Sequence, residues 1–173
     1  MQSVSMTSYR LGHHSDIYQA RAIEPELIPC CRKYKIDIVV YNPLAGGLFS
    51  GKIKSADIAP PEGRFAQDSS LGALYRGRYL KSSNFEALRL IEDVAQKHNL
   101  TLLEVALRWV VHHSELKTRA KGGNDGIIIG VSSFKQLESN LADLEKGPLP
   151  EEVVQVLDEA WMIAKANVSA YFR

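Results

Sequence analysis

The chain has 173 residues, of which 45% are hydrophobic, 24% charged and 8% aromatic, and 21 Lys+Arg against 20 Asp+Glu give a net charge of +1. Its 12 glycines and 7 prolines are ordinary for a folded domain, which excludes collagen-like and low-complexity classes. No block of like charge is long enough for a nucleic-acid arm, and no apolar run approaches the ~18 residues of a spanning helix, so neither nucleic acid nor a membrane is an expected partner.

Met1 to Asp16 is polar and without period; it reads as an irregular N-terminal segment and lacks the apolar centre of a secretory signal. Ile17-Tyr18-Gln19 reads as a very short strand. Glu24 to Lys35 reads as a helix with Pro25 at its start, Pro29 in its first turn and Leu27, Cys31 and Tyr34 on one face. Cys30 and Cys31 are adjacent, a poor geometry for a disulfide, and a cytoplasmic location is expected. Ile36 to Val40, with Ile38, Val39 and Val40 consecutive, reads as a parallel strand buried on both faces. Lys52 to Arg78 reads as a long polar loop.

Ser83 to Glu86, Thr101 to Glu104 and Ser133 to Gln136 each have capping-box spacing and each precede a helical pattern. The first helix carries Phe85, Leu88, Ile91, Val94 and Ala95, the second Val105, Ala106, Trp109 and Val110, and the third a stripe of Leu137, Leu141 and Leu144. Between the last two, Ile127 to Ile129 forms a second buried-strand run. Pro150 opens a final helix whose face is Val153, Val154, Leu157, Ala160, Trp161 and Ala164. Strands alternating with helices argue for parallel β/α units, with the two apolar strands adjacent and parallel. The strands are outnumbered by helices, so the sheet has open edges and self-association through them is expected.

Both apolar strands end in loops suited to an anion. Gly130-Val131-Ser132-Ser133 leads from strand to helix, which aims free N–H groups and the positive end of a helix dipole at one spot; an N-cap role for Ser133 explains the same residue. Tyr41 to Gly51 has a turn at Asn42-Pro43 and close backbone approach at Gly46-Gly47, while Lys52 and Arg64 supply positive charge. Tyr41 offers a flat face for stacking, or packs as an ordinary edge tyrosine. Paired glycine loops after successive strands match the phosphate site of an eight-stranded β/α barrel. The pairs His13-His14 and His112-His113 lack the i,i+4 spacing of a helical metal site, and no metal is expected.

Tyr41-Asn42-Pro43-Leu44-Ala45-Gly46-Gly47-Leu48-Phe49-Ser50-Gly51-Lys52 resembles the loop after strand seven of aldo-keto reductases. Leu107-Arg108-Trp109 and the stretch Gly130 to Asn140 resemble the closing section of that family. Gly63-Arg64-Phe65 and Tyr171-Phe172-Arg173 are similar to its aflatoxin-aldehyde reductase branch. The resemblance runs from about Ile17 to Arg173. It implies an α/β fold, the C-terminal part of an NADP-dependent oxidoreductase (β/α)8 TIM barrel, and reduction of aldehydes or ketones to alcohols with NADP(H).

Within that resemblance, Gln19 would hold the nicotinamide carboxamide and Tyr41 would stack on the ring. Asn42, Pro43, Leu44, Ala45, Gly46, Gly47, Leu48, Phe49, Ser50, Gly51 and Lys52 with Arg64 would wrap the pyrophosphate. Gly130, Val131, Ser132, Ser133, Gln136 and Asn140 would hold the adenosine end. Arg173 would attract a substrate carboxylate, or is simply a solvated terminus. The family's catalytic tyrosine, lysine, aspartate and histidine come from earlier strands, and no catalytic residue is assigned here. The expectation is a cofactor-binding portion that is inactive alone; a non-catalytic nucleotide-binding or interaction module, or an incomplete gene product, are the alternatives.

Overall fold

The computed structural model of the chain describes residues 13–14, 21–57 and 59–168. Three short strands form one sheet in the order β1 (His13–His14), β2 (Val39–Tyr41), β3 (Gly126–Ile128), and both pairings are parallel. The parallel adjacency expected of the two apolar runs is what the chain adopts. His13 and His14 were expected to be irregular; a two-residue pairing leaves no periodic trace in a sequence. The strand expected over Ile17 to Gln19 lies outside the described residues.

The junction of β2 and β3 is held by one carboxylate. Asp125, whose side chain is 1% exposed, accepts the Ile38 N–H at Oδ1 and the Lys117 N–H at Oδ2, both at 2.7 Å. The Arg32 guanidinium pairs with both oxygens. Beside them, Gly126 N–H donates to the Ile38 carbonyl at 2.9 Å. A buried carboxylate is tolerated because its lone pairs meet two backbone donors and a cation. The result is a fixed register, Val39 opposite Gly126 and Tyr41 opposite Ile128.

Arg32 comes from helix α1 (Leu27–Lys33). Pro29 sits in its first turn, as expected, where a missing N–H leaves no bond unmade. The helix is shorter than the sequence pattern suggests: Pro25 lies in the turn before it, and Lys35 at φ 55 ends it. Tyr34, expected on the buried face, is the C-cap and 64% exposed, while Ile28 and Cys31 face the core.

The connection from Lys52 to Arg78 is not all loop. Its end forms helix α2 (Gly72–Tyr79), which two glycines and a weak apolar pattern conceal. The larger helices are α3 (Ser82–Lys97), α4 (Leu102–His112), α5 (Phe134–Glu145) and α6 (Glu151–Ala164). Val40, Leu48, Phe49, Ile91, Val105, Val110 and Val153 are all fully buried between the sheet and these helices. The face expected of α6 packs inward through Val153, Leu157, Ala160 and Ala164. None of the helices among the described residues is long and apolar enough to cross a membrane.

Two of the three capping boxes place a side-chain cap. Thr101 Oγ1 accepts the Glu104 N–H and Ser133 Oγ accepts the Gln136 N–H. Before α3, the cap position is Lys81, without a side-chain bond, and Ser83 Oγ instead accepts from Asn167 Nδ2 at 2.9 Å. Helix α5 departs further: its buried residues are Asn140 and Asp143, and Leu141 of the expected stripe is 47% exposed. An ionic cluster explains the inversion, because Lys146 beyond α5 pairs with both Asp143 (2.9 Å) and Glu104 of α4 (3.0 Å). Nor is β3 covered on both faces: it is the sheet's outer strand here, and Ile128 is 56% exposed.

Because Asp125 satisfies two backbone amides and a guanidinium at once, Asp125→Ala is expected to destabilise the fold by about 3 kcal/mol in urea titration. Loss of less than about 0.5 kcal/mol, the range of an ordinary surface change, would contradict this account of the sheet.

Candidate functional site

The register carries both strand exits to the same edge, so the loops after Tyr41 and Ile128 start side by side. Tyr41 is half-buried at its exit, and burial pushes its phenol above the usual range, opposed by the charge of Arg78. Asn42 then turns the chain in the left-handed region at φ 63, a conformation asparagine tolerates. Its side chain fastens the turn at both ends: Oδ1 accepts the Gly46 N–H at 2.7 Å and Nδ2 donates to the Tyr79 hydroxyl at 2.9 Å.

The next stretch is a broken 3₁₀ segment, Ala45–Ser50, with Gly46 at φ 69 and Gly47 at φ 107. Pro43, Ala45, Leu48 and Phe49 are buried and pin the loop to the core, so Leu48 and Phe49 offer a ligand only their backbone. Leu44 is partly buried, Ser50 and Lys52 are exposed, and Gly51 at φ 69 closes the segment. A Cβ on Gly47 would meet nothing within 4 Å, so bare backbone faces open space there. A Cβ on Gly46 would stand 2.4 Å from Cε1 of Tyr75.

The second loop is exposed from Gly130 through Gln136. Ser133 caps α5, and Gln136 Oε1 accepts from both the N–H and the hydroxyl of Ser132, at 2.9 and 3.0 Å. Gln136 thus occupies donors that an anion would use. Val131 is exposed beside them, and Asn140, one turn further along α5, is 4% exposed. Arg64 joins the two loops: its Nη2 lies 3.3 Å from where a Cβ of Gly130 would be, and its guanidinium carbon is 5.8 Å from the centre of the Tyr75 ring. Gln19 and Arg173 lie outside the described residues.

Sequence reasoning did not single out the side chains beneath this site. Phe65, Tyr75 and Tyr79 pack ring against ring, with centroids 5.7, 6.1 and 5.8 Å apart. Arg76 ties Phe65 and Ala66 to α2 through their carbonyls, at 2.9 and 2.6 Å. The one signal available was the i,i+4 spacing of Tyr75 and Tyr79 in a stretch otherwise read as loop. Chemically, the arrangement offers backbone N–H groups, hydroxyls, a helix N-terminus and a guanidinium around one surface, with a half-buried aromatic ring alongside. It suits an extended, multiply anionic ligand with a flat ring.

Residues 10–162 match the family model described as the aldo/keto reductase family. The chain belongs to that family. It is 45% identical over 165 residues to an aldo-keto reductase of Pseudocercospora fijiensis, covering 91% of this chain and 54% of the relative. It is also 42% identical over 160 residues to aflatoxin B1 aldehyde reductase member 2 of Mus musculus, covering 88% of this chain and 42% of the relative. The human protein of the same name is 42% identical over 159 residues, with 88% and 43% covered. These relatives place this aldo-keto reductase chain in the aflatoxin-aldehyde reductase-like branch, and it spans about half of their length.

Solved structures share the fold. A glycerol dehydrogenase from Gluconobacter oxydans superposes with a TM-score of 0.54 at 20% identity, over 84% of this chain and 39% of the other. An aldo-keto reductase from Bacillus halodurans, in its holo form, gives 0.52 at 22% identity, over 91% and 43%.

The close approach at Gly46 has a measurable consequence. Gly46→Ala forces a methyl group onto the buried Tyr75 ring at a positive φ and should destabilise by about 2 kcal/mol. Gly77→Ala, on α2 with open space around the new methyl, should be neutral or slightly stabilising. Equal thermal stabilities for the two variants would show that the loop yields freely at Gly46.

Proposed function

We propose that this chain is the cofactor-binding portion of an NADPH-dependent aldo-keto reductase, the C-terminal part of a (β/α)8 barrel, and that alone it binds NADP(H) without reducing carbonyl compounds. The observation that carries the reading is the convergence of two glycine loops at adjacent parallel strand ends, with Arg64 beside Gly130. The residues present fit the cofactor's chemistry. Gly47 leaves room for a phosphate to approach, with no Cβ in the way and its N–H held by the Leu44 carbonyl. Asn42 to Gly51 with Lys52 and Arg64 would wrap the pyrophosphate, and Tyr41 gives the nicotinamide a platform. Gly130 to Ser133, Gln136 and Asn140 would hold the adenosine end, once Gln136 Oε1 yields the Ser132 donors to a phosphate. Bound NADPH supplies the hydride in the parent reaction.

Carbonyl reduction also requires a proton donor positioned at the developing oxyanion, with a pKa near neutrality. Burial pushes the Tyr41 phenol up, away from that range, which supports its reading as a platform rather than an acid. The relatives' names point to aldehydes as the substrates of the parent protein. We also infer self-association with a second copy of the chain at the β3 edge, where Ile128, Val131, Phe134 and Leu141 are exposed together.

The test is titration of NADPH against intrinsic fluorescence. Aspartate is as good an N-cap as serine, so Ser133→Asp keeps α5 intact while setting a negative charge against the phosphate. Binding is expected to weaken about tenfold or more, and the wild-type protein with a reactive aromatic aldehyde should consume cofactor no faster than a boiled control. Equal binding by both proteins, or turnover that Tyr41→Phe abolishes, would overturn the respective half of the proposal.

A further inference from the structure

We infer that Tyr79 is a positioning residue for the cofactor loop: through Asn42 it holds the turn after β2 in its ligand-ready shape, an inference that rests on the cofactor reading above. The chain of contacts is short and directional. Tyr79 is 2% exposed, its ring packed against Phe65 and Tyr75, so its hydroxyl is delivered at a fixed point. That hydroxyl accepts a hydrogen bond from Asn42 Nδ2.

An unconstrained amide side chain can exchange its oxygen and nitrogen by a half-turn about its last bond. Here the Gly46 N–H, a donor only, requires Oδ1 to face the loop, and the Tyr79 hydroxyl, accepting from Nδ2, anchors the other end of the amide at a fixed point. That acceptor holds the Gly46 N–H inward, the Gly47 N–H closes on the Leu44 carbonyl at 2.9 Å, and the side of Gly47 where a Cβ would stand is left open. The same aromatic cluster carries Tyr75, over which Arg64 lies. One buried cluster, Tyr75 and Tyr79 of α2 with Phe65 ahead of it, therefore holds the shape of the first loop and supports the cation that reaches the second. None of its three rings is assigned a ligand contact; Tyr79 acts through Asn42.

Tyr79→Phe keeps the ring and removes the hydroxyl, and Asn42→Gly keeps the left-handed turn while removing both side-chain bonds. In the ligand-free protein, amide hydrogen exchange at Ala45 and Gly46 is expected to rise about fivefold or more in Tyr79→Phe, with the α3 and α6 amides unchanged. NADPH affinity should fall by a similar factor of about five. In the Asn42→Gly background, the effect of Tyr79→Phe on both measurements should be clearly smaller. A uniform rise in exchange with unaltered NADPH affinity would reduce Tyr79 to a packing residue and overturn the inference. So would an undiminished effect of Tyr79→Phe without Asn42. Failure of the wild-type protein to bind NADPH would instead overturn the cofactor reading and the affinity half of this inference, while the exchange measurement still decides whether Tyr79 governs the loop.

Discussion

The site depends on a carboxylate that takes no part in it. Asp125 reaches Ile38 N–H at the start of β2 and Lys117 N–H ahead of β3, and Arg32 neutralises it from α1. Parallel strands cannot be joined by a hairpin, so their register must be set by something other than a turn. In this chain the two strands come from segments far apart in sequence, and each is three residues long. So short a ladder specifies little by itself. A buried ionic clamp at its beginning removes the freedom to slip, because a shift of one residue would take the Ile38 donor away from the carboxylate.

Upon that register the loops are built by two different means. The first is fastened from below: apolar Pro43, Ala45, Leu48 and Phe49 anchor it, and the Asn42 side chain closes the turn. The second is fastened by helix capping alone, with Ser133 and Gln136 satisfying donors at the start of α5 and all its side chains at the surface. The contrast implies a division of labour, a rigid cradle beside an adaptable one. Gln136 in particular satisfies the Ser132 donors in a manner that a phosphate oxygen can reproduce, so the ligand binding proposed there would exchange one acceptor for another rather than fill an unmet need.

Much of this was legible in the residues. The apolar runs Ile38 to Val40 and Ile127 to Ile129 announced adjacent parallel strands, and the Thr101 and Ser133 boxes announced their caps. The glycine-rich stretch after Tyr41 announced the loop, while the positive φ of Asn42 and Ala45 had no such signal. What escaped was set by distant partners. Ser83 has the spacing of a cap but is held by Asn167, and Leu141 of α5 is exposed while Asp143 is buried in a cluster with Glu104 and Lys146. Helix α2 was hidden by its glycines, and the value of Tyr79 lies in a bond to a residue 37 positions away. No local pattern encodes such pairings.

The central claim is that the two loops form one receptor for one ligand. Following the backbone amide resonances of Gly46, Gly47, Ser132 and Ser133 during a single NADPH titration tests it most directly. The account predicts that all four move together along one saturation curve with a common midpoint. Shifts confined to one loop, or separate midpoints for the two, would contradict it.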